Sequence, residues 1–176
     1  MGASQERGIR AWRSVVYLIE VWGVIVAAVA LVVWQPTWWA ALIAAPIIAG
    51  RQHALLIVEH ECWHFNLFET RRLNNIAGSL LSGWAVGSPY IKGRGRHLAH
   101  HRLLGSDDDP DLDYHRTVTS GKQARRHFLL HLFGGQIVYT LFLGQKGHAG
   151  ANTGDKGSIL PDLIGMAVTQ TGILAA

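Results

Sequence analysis

The chain has 176 residues, 49% of them hydrophobic, and a mean hydropathy of +0.16. Its formal charge of +4 is distributed so that basic residues flank apolar runs rather than lining one face of a soluble domain, which gives a nucleic-acid role no support. The single cysteine, Cys62, excludes an intrachain disulfide and fits a reducing compartment.

Residues 1–11 read as a short basic leader suited to a membrane surface. No charged residue falls within 21–50, a run long enough for a membrane span, which needs about 20 mostly apolar residues. Gln35-Pro36-Thr37 interrupts it, so a helical hairpin is expected, with spans over 12–34 and 38–58. Trp34, Trp38 and Trp39 flank the turn, where an interfacial aromatic belt would sit. Residues 24–33 are apolar all round, which argues against a buried hairpin of a soluble protein. The first span is too long for a cleavable signal peptide and lacks a cleavage site. Glu20 is expected at headgroup level with no further role. His53 lies seven residues before His60 and shares its face, more as a hydrogen-bonding group than as a ligand.

Residues 65–70 leave the helix, and Arg71-Arg72 marks the surface. The stretch 76–90, broken by Gly78, Gly83, Gly87 and Pro89, reads as an interfacial or re-entrant segment. Basic, glycine-rich 92–96 follows it, and five aspartates surround Pro110 over 106–113. Residues 121–126 are basic, 128–143 form a short third span, 144–157 a loop, and 159–176 the start of a fourth span. His127 and His131 read as helix-end histidines. Arg7, Arg10 and Arg13 precede the first span, and Arg71, Arg72, Lys92, Arg94, Arg96 and Arg102 follow the second, whereas the hairpin turn has no Lys or Arg. The positive-inside rule then puts the N-terminus and everything around residues 60–102 on the cytoplasmic side. The expected fold is an all-α, integral membrane helical bundle of about four spans, without internal repeats.

The chemistry concentrates in two groups, HECWH at 60–64 and HLAHH at 97–101. On helices, His60 and His64 are i, i+4, as are His97 and His101, and His97 and His100 are i, i+3, so each group can aim imidazoles at one point. Neutral imidazole suits iron, zinc, copper and nickel. One or two of Asp107, Asp108, Asp109, Asp111 and Asp113 are expected to orient imidazoles through their other N–H, the rest forming a solvated turn. Metal at the end of a membrane helix points to oxidation of an unactivated C–H bond, which no acid or base side chain attacks and which needs an oxidant made from O₂. Two other readings compete. HECWH also fits the HExxH pattern of zinc metalloproteases, with Glu61 as general base, although that leaves HLAHH without a purpose. A non-catalytic membrane protein that binds metal is the other.

HECWH resembles the first, HxxxH, box of the membrane fatty acid desaturase family, and HLAHH resembles its second, HxxHH box. Arg51-Gln52-His53 and Asp109-Pro110-Asp111 resemble flanks found in bacterial members. The resemblance is strong over 12–113 and loose beyond. It implies iron ligands at His60, His64, His97, His100 and His101, a diiron centre, and O₂ as oxidant. It further implies a lipid acyl chain as substrate, with carotenoid or alkyl hydroxylation or ketolation as the alternative. Electrons would come from ferredoxin or a cytochrome b5-type donor. The family's third HxxHH box is not found: His115, His127, His131 and His148 do not form one. The expectation is therefore that 1–176 is the N-terminal part of a single desaturase-like domain, with an incomplete ligand set.

Overall fold

A computed structural model describes residues 11–111, 120–132 and 159–175. All regular structure among them is helical: α1 (Ala11–Trp34), α2 (Trp38–Trp63), α3 (Arg71–Gly78), α4 (Tyr90–Leu103), α5 (Gly121–Leu132) and α6 (Leu160–Ala175). Between α3 and α4 lie a π-turn, Ser79–Gly83, and a 3₁₀ turn, Trp84–Val86. The chain divides into two compact units, Met1–Arg94 with Ser158–Ala176, and Gly95–Gly157. α4 starts in the first and ends in the second.

In the first unit the expected hairpin is present. Thr37 closes its turn by accepting a hydrogen bond from Ala40 N, the side-chain cap that helix starts favour. The facing surfaces carry small side chains, with Ala28, Ala40, Ala44 and Ala54 all buried, so the backbones approach closely. Val21 and Leu55 fill the space where larger groups meet. Both helices are long and apolar enough to cross a membrane, and only 17% of each apolar window is buried. Val29, Val33, Leu42 and Ile43 face outward, unlike the surface of a soluble core helix. α2 continues past the expected end at residue 58 and carries HECWH on its last turn.

Glu20 departs from the expectation of no further role. Its Oε1 sits 2.7 Å from Arg51 Nη1 on the other helix of the hairpin. At 1.5 Å per residue both lie about 21–22 Å from the turn, so they meet at one depth. An acid in an apolar helix is costly unless partnered, and here the partner is supplied.

Residues 71–86 are helical throughout, passing from α3 through the π-turn into the 3₁₀ turn, and the run ends at Gly87, left-handed at φ 77°. The π-turn over Ser79–Gly83 widens the helix where Gly83 passes the Glu59 carboxylate, leaving no room for a Cβ. Gly78 packs equally close to Tyr90 and Cys62. The helix expected over 159–176 is present as α6, with 16 residues. Among the described residues, only α1 and α2 reach spanning length and apolarity. α5 covers the basic segment and the beginning of the expected third span; the rest of 128–143, the loop 144–157 and the side chains of His115, His127, His131 and His148 lie outside the described residues.

Candidate metal centre

The first box occupies the C-terminal end of α2. His60 lies in the last turn and His64 is the C-cap. Their ring centroids are 4.9 Å apart, with ligand nitrogens within 4.8 Å of each other. The helix stops immediately afterwards in a tight closure. Phe65 N donates to Cys62 O and Asn66 N to Glu61 O, the paired bonds of a Schellman motif. That motif needs a left-handed residue, normally glycine, and Phe65 fills the position at φ 57°. A non-glycine residue there costs about 1 kcal/mol or more. Arg94 and Arg71 offset the strain by stacking their guanidinium groups on the Phe65 ring, at 4.4 and 5.3 Å. His60 is oriented from the other side: its Nδ1 is 3.1 Å from Glu61 Oε1, while Asn66 Nδ2 donates to Glu61 Oε2.

The loop that follows is held by one side chain. Asn74 is fully buried, and its amide makes four hydrogen bonds. Oδ1 accepts from Leu67 N and Phe68 N, and Nδ2 donates to Phe68 O and Thr70 O. The start of α4 is locked to the end of α2. Trp63 Nε1 donates to Tyr90 O, and Arg94 Nε donates back to Trp63 O. The arginine brings its charge and this hydrogen bond to the negative end of α2. Tyr90 OH donates to Asn75 Oδ1 at 3.1 Å, and burial, then the neighbouring Cys62, raises its pKa, so the phenol stays a neutral donor.

The second box lies in the second unit, on the last turns of α4. His97 Nε2 and His101 Nε2 are 3.0 Å apart, and the rings meet edge to face. Two lone pairs at that distance repel unless a proton or a cation lies between them. Two imidazoles binding one ion at about 2.1 Å and roughly 90° apart subtend the same separation, so the pair fits a metal. His100 is held differently. Its Nδ1 is 2.7 Å from Asp109 Oδ1, which also accepts Asp111 N, while Asp109 Oδ2 accepts Gly105 N. Burial pushes the Asp109 carboxyl up, but these hydrogen bonds, His100 foremost, outweigh it and hold it down at about 2. A carboxylate on Nδ1–H fixes the tautomer and leaves Nε2 as the ligand atom. Of the five aspartates, Asp109 takes the expected orienting role. Asp111 serves Arg96, receiving Nε and Nη2 on one oxygen, and Asp107 and Asp108 are exposed. Asp113 lies outside the described residues.

His53 is exposed on α2, which gives no support to the minor expectation of a ligand there. Sequence reasoning missed Asn74, Glu59 and Asp162, all at most 1% exposed. Glu59 accepts from Ser88 Oγ at 2.9 Å. Asp162 stands in an apolar run, a position where an acid needs a partner, and that signal was available.

A profile of the fatty acid desaturase family matches residues 36–162, most of the chain and both histidine groups. The chain belongs to the fatty acid desaturase family. Among curated relatives, a beta-carotene ketolase from Paracoccus sp. (strain N81106 / MBIC 01143) is 34% identical over 73% of this chain and 59% of its own length. A probable fatty acid desaturase from Sorghum bicolor is 30% identical over 65% of this chain and 29% of its own length. The chain thus spans less than two thirds of either relative. No solved structure matches it.

Proposed function

We propose that this chain carries the metal-binding region of a membrane-bound, O₂-dependent oxidoreductase of the diiron desaturase type. His60, His64, His97, His100 and His101 are its iron ligands, and its substrate is a lipid acyl chain. The observation that carries the reading is the His97–His101 pair at 3.0 Å beside a His100 whose Nδ1 is engaged by Asp109. Imidazole-rich donors with carboxylate-fixed tautomers suit a first-row transition metal. Bound iron, with O₂ and external electrons, would supply the oxidising chemistry. The chain's own part is to hold the imidazoles, to keep the first box at the end of an apolar helix where a hydrocarbon chain can reach it, and to exclude side reactions. The protein is multi-pass, with both boxes on the cytoplasmic side, where ferredoxin or a cytochrome b5-type donor would deliver electrons.

Ketolation of a carotenoid is the second reading, favoured by the 34% identity to the Paracoccus ketolase. Both reactions begin with abstraction of hydrogen from a C–H bond of a long apolar molecule. The HExxH reading gains nothing from the geometry, because Glu61 Oε1 lies 3.1 Å from His60 Nδ1 and Glu61 Oε2 accepts from Asn66 Nδ2. The test is purification in lipid nanodiscs, metal analysis, and incubation with reductant and O₂ on acyl lipids and on β-carotene separately. Iron with altered acyl chains supports the first reading, and iron with oxidised carotenoid the second. One zinc per chain and no iron would overturn both.

A further inference from the structure

α4 has no local cap. The residue before it is Pro89, whose side chain offers no acceptor, and none of its first-turn residues is acidic. A helix start leaves four N–H groups without intrahelical partners. Two of them, at Ile91 and Lys92, find one carboxylate 70 residues away in sequence. Asp162 Oδ1 accepts Ile91 N at 2.9 Å and Oδ2 accepts Lys92 N at 2.9 Å. Oδ1 also accepts Trp84 Nε1 at 2.8 Å, and Asp162 is completely buried. Charge-assisted bonds at the positive end of a helix are among the stronger ones a carboxylate makes.

The rest of α6 is shaped to deliver that carboxylate. Gly165 packs against the Trp84 ring so closely that a Cβ would lie about 2.5 Å from it. Gln170 Nε2 donates to Trp84 O and Ala85 O, carbonyls of the 3₁₀ turn. The two contacts differ in kind. Gln170 ties α6 to the turn, whereas Asp162 bonds both the turn, through Trp84, and the amides of α4.

We propose that Asp162 is a positioning residue for the second histidine box, capping α4 from a distant segment and fixing the turn from which His97, His100 and His101 follow. The inference rests on the proposed metal-binding reading, and its direct readout does not. The experiment uses the whole chain in nanodiscs, with amide hydrogen exchange of the first turn of α4 and cobalt(II) titration followed by its visible absorption. Asp162→Asn should speed exchange at Ile91 and Lys92 about tenfold and weaken cobalt binding about tenfold. Gln170→Ala should lower the melting temperature while leaving cobalt affinity and spectrum unchanged. Pro89→Asp in the Asp162→Asn background supplies a local acceptor and should restore both slow exchange and cobalt affinity. Should Asp162→Asn fail to fold, the double variant decides: recovery of fold and cobalt binding supports capping, and continued failure overturns it. The proposal also falls if exchange is unchanged in Asp162→Asn, or if Gln170→Ala weakens cobalt equally. A parent chain that binds no cobalt would refute the metal reading, and the exchange rates would still judge the cap.

Discussion

Replacing Asn74 with alanine should be among the most damaging single changes outside the histidines. The side chain is fully buried and spends all its capacity on the backbone of the loop after His64, two bonds received and two given. Alanine leaves Phe68 N and Phe68 O unpaired in buried surroundings, at about 1–3 kcal/mol each. The bonds to Leu67 N and Thr70 O are part-buried, so water recovers most of their value. A loss of about 3–5 kcal/mol follows, a large share of the stability of a typical domain. Asn74→Asp is the informative companion, because it keeps both acceptor bonds and turns both donor bonds into oxygen–oxygen repulsion, so it should cost at least as much. Reversible unfolding in mixed micelles, followed by circular dichroism, gives the numbers. A loss below about 1 kcal/mol for Asn74→Ala would refute the claim that this amide organises the loop.

Asp109→Asn should weaken metal binding roughly tenfold to a hundredfold, whereas the exposed Asp108→Asn should leave it unchanged, as measured by cobalt titration. Glu61→Gln keeps an oxygen for His60 Nδ1, so metal affinity should fall by less than tenfold, and Glu61→Ala should lose about tenfold; zinc retained with complete loss of activity in Glu61→Gln would instead favour a zinc peptidase. Glu20→Gln and Arg51→Gln should each destabilise the hairpin by about 1–2 kcal/mol in lipid, and the double variant should recover most of that. A double-mutant cycle with coupling under about 0.5 kcal/mol would show that the pair is incidental.

The hairpin was legible because its signals are local. An uncharged run, a Gln-Pro-Thr break and flanking tryptophans are each readable without knowing the fold, and α1 and α2 begin and break where those signals lie. The histidine groups were legible for the same reason, since i, i+4 spacing on a helix is a property of a few consecutive residues. Which aspartate would orient an imidazole was not, because five candidates share one short turn. The choice depends on Gly105 at φ 77°, which bends the chain after α4 and brings Asp109 back to His100. Glu20 was misjudged because its partner stands 31 residues away on the other helix, level with it only once the hairpin has closed.

A common physical cause runs through the residues that pattern reading missed. A metal site needs ligands held to within fractions of an ångström, and side chains on helix ends meet that need only if the ends themselves do not fray. Both boxes sit close to helix ends, α2 stopping at HECWH and the second box lying on the last turns of α4, which starts seven residues before His97. Helix ends carry backbone groups without partners, and here distant side chains supply them. Arg94 covers the Trp63 carbonyl, Asn74 organises the loop beyond it, and Asp162 covers the first amides of α4. Asn74 and Asp162 are also fully buried, where a polar group without a partner would cost several kcal/mol. Such residues have no periodicity to betray them. Their position is fixed by the backbone atoms they serve, so they emerge only when the fold is known, and they are where substitutions should disturb the histidines without touching them.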